Sequence, residues 1–374
     1  MKILTSLQQR LSSGWKAARR RPGLFLFLSL TLLAAGCGPA VAAGSWAGLS
    51  ADANGLVMAH FDRVIRFNEV GTPRWEFPRP GDRQQNQQFY AKPALTEDVV
   101  YVGGYDYKVY ALDRDNGQEI WVNADATSSI IGGLAVGQGK VIVGLGSGGV
   151  MALNQRTGQQ EWFFATSQGV WTAPLIVDEV VYVTSLDHYL HALDLATGEE
   201  LWQTDLEGAV AGTPVYADGV LYVGSFAHQM FAVAARDGEI LRAFETRNWV
   251  WGGPTLADGV LYFGDLSGFV YALEAASFTP RWQRQVATEA IRATPLVAGD
   301  LLIVGSRDDR VYALGREDGL QRWFNETGGD VLSDPIMLDD TTVVVGVLGE
   351  PTLLALSLEN GDRVWTYPPV TSAE

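Results

Sequence analysis

Four histidines, one cysteine and a few aromatic residues are the side chains here whose chemistry could go beyond packing. His60, His188, His191 and His228 are possible bases or metal ligands. His188 and His228 hold the same turn position in successive 40-residue repeats, which sets them at least a sheet-packing distance of about 10 Å apart. His188 and His191 straddle the end of a turn and the strand after it, so their side chains diverge. All four therefore read as solvated turn histidines. Gly144-Leu145-Gly146-Ser147-Gly148-Gly149 has the composition of a phosphate loop. No helical pattern follows it, and it reads as a glycine-rich hairpin. The carboxylates Asp62, Asp106, Asp187 and Asp308 recur at turns, and no cluster of Asp, Glu and Asn stands apart from them as a calcium site.

The aromatic residues are more informative. Beyond the N-terminal segment there are eleven tryptophans, and seven of them keep one repeating register. The other four are Trp46, Trp171, Trp249 and Trp251. Three of these share a second register, which reads Trp46, Tyr90, Ile131, Trp171, Ala211, Trp251, Arg292 and Leu332 along the chain. An arginine among aromatics suits an anionic or planar group, and Arg247-Asn248-Trp249 adds polar and aromatic groups beside Trp251. Trp46, Tyr90, Trp171, Trp249, Trp251 and Arg292 are thus a candidate binding site. The plainer alternative is that they only plug a channel.

What must position them is a repeat. Aligned on its last tryptophan, the unit ends at Trp75, Trp121, Trp162, Trp202, Arg242, Trp282, Trp323 and Trp365, with spacings of 46, 41, 40, 40, 40, 41 and 42. Four residues earlier stands a glycine in every copy (Gly71, Gly117, Gly158, Gly198, Gly238, Gly319, Gly361) except at Phe278. Within a copy such as Val180 to Trp202 the apolar period is two, with β-branched and aromatic runs split by turns. Four short strands in about 40 residues is the pattern of one propeller blade. Near-continuous apolar runs fit strands covered on both faces. The expectation is an all-β, eight-bladed propeller of four-stranded antiparallel blades over residues 45–368. The first strand of each blade would line the axial channel, so the second register would ring one mouth.

The N-terminus has a different character. Lys2, Arg10, Lys16 and Arg19 to Arg21 precede an uncharged run, Leu24 to Ala35, which ends in Leu33-Ala34-Ala35-Gly36-Cys37. A basic segment followed by an apolar one of about a dozen residues is a secretory signal, too short for a comfortable span. The residues before Cys37 resemble a bacterial lipobox, which would make Cys37 a lipidated N-terminus, residues 38–44 a short linker and 369–374 a tail. Cleavage after Ala42, within an A-x-A pattern, or an uncleaved anchor are the other options. Cys37 is the only cysteine, so the exported protein has no intrachain disulfide. Six of the 27 basic residues lie before it, leaving 21 against 43 acidic residues, a net charge of −22. Such a surface disfavours nucleic acid and anionic lipid as partners.

Val109-Tyr110-Ala111-Leu112-Asp113 with Gly117 and Trp121, and Val311-Tyr312-Ala313-Leu314 with Gly319 and Trp323, resemble the tryptophan-docking repeat of the pyrroloquinoline-quinone (PQQ) propeller superfamily. The resemblance implies that Trp75, Trp121, Trp162, Trp202, Trp282, Trp323 and Trp365 are structural. Each would pack on the alanine and the glycine turn of a neighbouring blade. Arg242 and Phe278 depart from the pattern, leaving open how blades five and six are joined. Quinoprotein dehydrogenases of this superfamily use PQQ and calcium, but they are typically longer and often carry adjacent cysteines. The chain is more similar to the non-enzymatic BamB-type lipoproteins of outer-membrane assembly. It departs from them in that blades one and eight each hold four strands of their own, and in lacking a recognisable leucine-arginine contact loop. The resemblance therefore implies a monomeric, lipid-anchored envelope scaffold that binds protein and carries no cofactor or metal. A small-molecule-binding or PQQ-dependent redox propeller, using the aromatic mouth, is the alternative.

Overall fold

Apolar runs of five or six residues, broken by Asp, Asn and Gly turns, form thirty-two strands in a computed structural model that describes residues 47–83 and 87–369. Cys37, the leader, Trp46 and the last five residues lie outside that range. The strands pair as eight four-stranded antiparallel sheets, each in simple sequence order. Blade one runs from Gly48 to Phe77, two from Ala94 to Asn123, three from Leu134 to Phe164 and four from Leu175 to Asp205. Blade five spans Val215 to Glu245, six Thr255 to Gln285, seven Leu296 to Glu326 and eight Ile336 to Tyr367. There is no helix among the described residues, and Gly144 to Gly149 is a hairpin between two strands, as expected.

A four-stranded sheet this small cannot bury two faces alone. Each buries them between its neighbours: one core cluster joins Val57, Ala59 and Val64 of blade one to Val100, Val102 and Leu112 of blade two, and similar clusters join the pairs that follow. The tryptophans are the clasps of these junctions. Indole Nε1 donates to a backbone oxygen of the next blade from Trp75 (to Arg114, 2.8 Å), Trp121 (Gln155, 3.1 Å), Trp162 (Leu195, 3.0 Å), Trp202 (Ala235, 3.1 Å), Trp282 (Arg316, 2.8 Å) and Trp323 (Leu358, 2.9 Å). The ring lies flat over the next blade's glycine turn. A Cβ on Gly117, Gly158, Gly198, Gly238, Gly319 or Gly361 would come within 2.5–2.6 Å of the docked indole, and each glycine has a φ between +65° and +77°. The approach excludes a side chain, and the left-handed backbone favours glycine.

The same clasp closes the ring. Trp365 of blade eight lies over Gly71 of blade one, whose Cβ would meet the indole at 2.5 Å. Phe67 packs edge-on against Tyr367 at 4.8 Å. Both blades keep their own four strands, so closure here is by side-chain docking and not by strand exchange. The alanine register has a different meaning from the one the resemblance implies. Ala111, Ala152, Ala192, Ala272, Ala313 and Ala355 pair across the ladder with the tryptophan of their own blade. A small residue there leaves the large ring beside it free to lie toward the neighbour.

Blade one carries Arg66 in that register instead. Its buried guanidinium is held bidentately by Asp52, which also pairs with Arg114 of blade two at 2.8 Å. Burial would raise the Asp52 carboxyl, but the hydrogen bond from Arg66, the Asn54 amide and the two guanidinium charges together hold it below its usual value.

At the junction of blades five and six, both departures from the pattern face the same gap. In blades two, four and six a strand-two tyrosine lies beside its own docking indole, Tyr101 with Trp121 at 5.8 Å, Tyr182 with Trp202 at 5.8 Å and Tyr262 with Trp282 at 6.2 Å. In blade five Tyr222 has no such indole, and Phe278 from blade six stacks on it instead, at 6.1 Å and 25°. Phe278 is buried and takes the glycine's left-handed conformation at φ 59°. Arg242, in the tryptophan's place, reaches the Ala276 oxygen at 3.4 Å. The aromatic ring has thus been contributed from the opposite side of the seam.

Loss of an ordinary clasp, as in Trp202→Ala, costs about 3–5 kcal/mol. The seam predicts a different pattern for the cycle Arg242→Trp, Phe278→Gly and the double variant. The first overpacks against Phe278 and the second leaves a void, each lowering stability by about 1–3 kcal/mol. Together they recreate the standard clasp and recover most of the loss. Denaturant unfolding measures the coupling, and additive losses would show that the two positions do not share one gap.

Candidate functional site at the channel mouth

The second register is fixed by the residue before it. Ile130, Val170, Val210, Val250, Ile291 and Val331 are completely buried, and each amide donates to the end of the preceding blade's second strand, for example Val170 to Leu145 O at 2.9 Å and Val331 to Ser306 O at 2.9 Å. The turn after that strand bonds back, as Phe226 N does to Ala209 O at 2.9 Å and Arg307 N to Ala290 O at 3.0 Å. With one side chain locked outward into the blade, the next must turn to the axis. Tyr90, Ile131, Trp171, Ala211, Trp251, Arg292 and Leu332 accordingly line one cavity of 440 Å³. Trp46 would continue this ring, but it lies outside the described residues.

The aromatic residues differ in their tethering. Trp171, half-buried, donates Nε1 to Gly146 O at 3.1 Å, so the glycine-rich hairpin serves as its acceptor. Gly169 must lack a side chain here, because a Cβ would lie 2.7 Å from Nε1 and 2.3 Å from that oxygen. Tyr90 is 5% exposed and sits edge-on to Phe61 at 6.0 Å and Tyr105 at 4.9 Å. It is more wall than contact. Trp249 does not line the cavity. It is 41% exposed and stacks on Phe226 at 4.9 Å with the rings 4° from parallel. Phe226 in turn lies 5.1 Å from Trp251, and the Arg292 guanidinium covers the Trp251 ring at 4.4 Å. The four side chains form one continuous stack leading from the outer face to the cavity.

Phe226 was not among the sequence candidates. The signal for it was the register of Phe61 and Tyr105, which hold the same turn position in blades one and two. Arg307 occupies that position in blade seven, where it is bound by Asp330 at 2.7 Å. Lys92 lies 3.7 Å from Asp334, which also accepts the Thr294 amide at 2.8 Å. Arg292 has no such partner: its Nε is buried without a hydrogen bond among the described residues. Burial, and then the neighbouring Arg307 charge, lower its pKa, against a smaller opposing effect of Asp330. A guanidinium remains charged at neutral pH regardless.

The histidines need two corrections, the first being that His60 is the half-buried last residue of the strand Gly55–His60 and not a turn residue. His188 and His228 are exposed turn residues with positive φ, as expected. His191 is buried at 4%, with Nδ1 2.8 Å from Glu200 and Nε2 3.5 Å from Asp187. It occupies the strand position held elsewhere by Tyr110 and Tyr312, whose hydroxyls donate to Asp106 and Asp308 at 2.5 and 2.8 Å. Burial and then these carboxylates push both phenols up. The turn carboxylates are therefore occupied within the fold. Register, not residue type, decided the fate of His191.

The sequence comparisons and the structural ones differ in breadth. The family model described as outer membrane protein assembly factor BamB matches residues 14–162, 108–194, 186–293 and 266–373. Outer membrane protein assembly factor BamB of Marinobacter adhaerens is 30% identical over 133 residues, 34% of this chain and 31% of that protein. Its counterpart in Xanthomonas campestris is 32% identical over 92 residues, 22% of this chain and 23% of that one. These matches thus span about a third of each relative or less. Among solved structures, BamB from Moraxella catarrhalis superposes with a TM-score of 0.70 at 22% identity, covering 82% of this chain and 92% of that one. Quinohemoprotein alcohol dehydrogenase from Comamonas testosteroni superposes with 0.69 at 16%, covering 86% and 73%. At these identities both show the fold alone.

The stack itself is testable. Phe226→Ala removes its middle ring, at a cost of about 0.5–1.5 kcal/mol beyond lost area, and should shift tryptophan emission to the red as Trp249 and Trp251 gain solvent. Unshifted emission would mean that Phe226 does not cover them.

Proposed function

The chain belongs to the family described as outer membrane protein assembly factor BamB, and from that premise we propose that it is a lipid-anchored, non-enzymatic scaffold of the cell envelope. The observation that carries the reading is that the family model matches in overlapping segments from residue 14 to residue 373, across all eight blades. The curated relatives are assembly factors by name. In this reading the leader delivers Cys37 to lipidation on the extracytoplasmic face, and a monomeric propeller presents its rim and faces to a protein partner. The acidic surface keeps the scaffold away from anionic lipid and nucleic acid.

The redox alternative draws on the likeness to a quinohemoprotein dehydrogenase, which is one of fold. The cavity's donor set does not fit a calcium-bound quinone. Among the described residues Asp334 is the one carboxylate lining it, and that group is already bonded to the Thr294 amide and faces Lys92. Nor do three His, Cys, Asp or Glu side chains converge anywhere among the described residues. Calcium takes about six to eight oxygen ligands, several of them carboxylate. The reading therefore assigns no cofactor.

Detergent phase separation and outer-membrane composition test it together. Wild-type protein should enter the detergent phase and Cys37→Ser the aqueous one. Cells lacking the chain should hold fewer folded outer-membrane barrels, restored by the wild type. A Cys37→Ser protein that stays with membranes after leader cleavage would contradict the anchor, and unchanged barrel levels would contradict the assembly role. Dye reduction appearing on addition of PQQ and calcium would replace the scaffold by the redox reading.

A further inference from the structure

Among the described residues Arg292 makes no ion pair, and Asp330, held by Arg307, acts on it only at a distance. The two other cationic side chains around the mouth have carboxylates, Arg307 with Asp330 at 2.7 Å and Lys92 with Asp334 at 3.7 Å. Arg292 has the face of Trp251 at 4.4 Å and a buried, unbonded Nε. Stacking satisfies the face of a guanidinium but leaves its edge N–H groups, which are the ones shaped for a carboxylate fork. A half-buried charge with an unpaired donor is costly unless something brings the partner, and Arg292 borders the cavity. In a mature chain of net charge −22, such an unneutralised site cannot be a sample of a generally basic surface.

We propose that the channel mouth binds a carboxylate carried on a flat, apolar group, with Arg292 holding the anion and the Trp171 indole and the edge of Trp251 beside the body. The volume, 440 Å³, falls in the range of about 300–1,000 Å³ usual for small-molecule pockets, larger than a bare inorganic anion needs. Ile131 and Leu332 extend the apolar wall, and Gly132, Gly212 and Gly252 line it as well, the place of each missing Cβ being taken by the backbone of the next blade. The indoles are preset for this. Trp171 is pinned through Gly146 O, and Trp251 is held between Phe226 and Arg292, so little ordering cost remains on binding. With one carboxylate at the cavity among the described residues, already engaged, the site suits an organic anion alone and not a metal-bound one.

This inference is independent of the scaffold reading, because it rests on Arg292 and the cavity. The shared chemistry, an aryl group beside a carboxylate, could come from a free aromatic acid or from the last residue of an extended chain. Titration of the purified mature protein, followed by tryptophan fluorescence, separates these. The probes are indole-3-acetate, N-acetyl-glycyl-phenylalanine with a free carboxylate, and the same dipeptide as its C-terminal amide. At least one carboxylate should quench emission saturably, and the amide should bind at least about tenfold more weakly. Tighter binding of indole-3-acetate identifies a free acid as the source, and tighter binding of the dipeptide a chain end. Arg292→Gln should reduce carboxylate affinity about tenfold or more with the melting temperature unchanged. Should that variant prove less stable, Trp171→Ala provides a second test, with affinity lowered several-fold. Equal binding of acid and amide, undiminished binding in the variants, or no saturable quenching up to about 10 mM would each overturn the proposal.

Discussion

The contact on which this structure depends is an indole laid flat over a glycine turn of the next blade. Each four-stranded sheet is too small to be stable alone, so the free energy of the fold lies in the junctions between blades. The tryptophan contributes there in two ways, through the burial of a large ring and through an N–H bond to the neighbour's backbone. The glycine is its obligatory partner, since the approach leaves no room for a Cβ and the backbone is left-handed. Gly71 and Trp365 extend the same device across the first and last blades, and the ring closes without exchange of a strand between termini.

One junction is built differently, and the unusual aromatic stack lies at the same junction. Blades five and six lack the outer clasp, with Arg242 and Phe278 in the places of tryptophan and glycine. At the mouth, Phe226 of blade five is sandwiched by Trp249 and Trp251 of blade six. Aromatic contact across the seam is thus conserved in amount but moved in position, partly reversed at the rim and partly transferred to the channel. That arrangement places Trp251 under Arg292 and gives the mouth its chemical character.

Much of this was legible in the sequence. The spacing of Trp75 to Trp365 gives the number of blades, and period-two patterning gives the strands. The register of Trp171, Trp251 and Arg292 was enough to place them at one mouth, because a repeat turns sequence phase into position. What escaped was whatever depends on contact between two repeats. Phe226 could not be paired with Trp249 from one blade alone, and Arg242 and Phe278 showed only that the pattern breaks at blades five and six, not that the ring is exchanged between them. His191 was misread for the opposite reason: its residue type was weighed above its phase, although Tyr110 and Tyr312 marked that phase as buried.

If the ring is closed by docking, the closing clasp must matter locally. Hydrogen exchange on Trp365→Ala, followed by mass spectrometry, measures this directly. The account predicts faster exchange in Arg363–Tyr367 of blade eight and in the last two strands of blade one, Arg63–Phe67 and Pro73–Phe77, with blade four unchanged. Exchange unaltered at that seam, or raised equally around all eight blades, would contradict it.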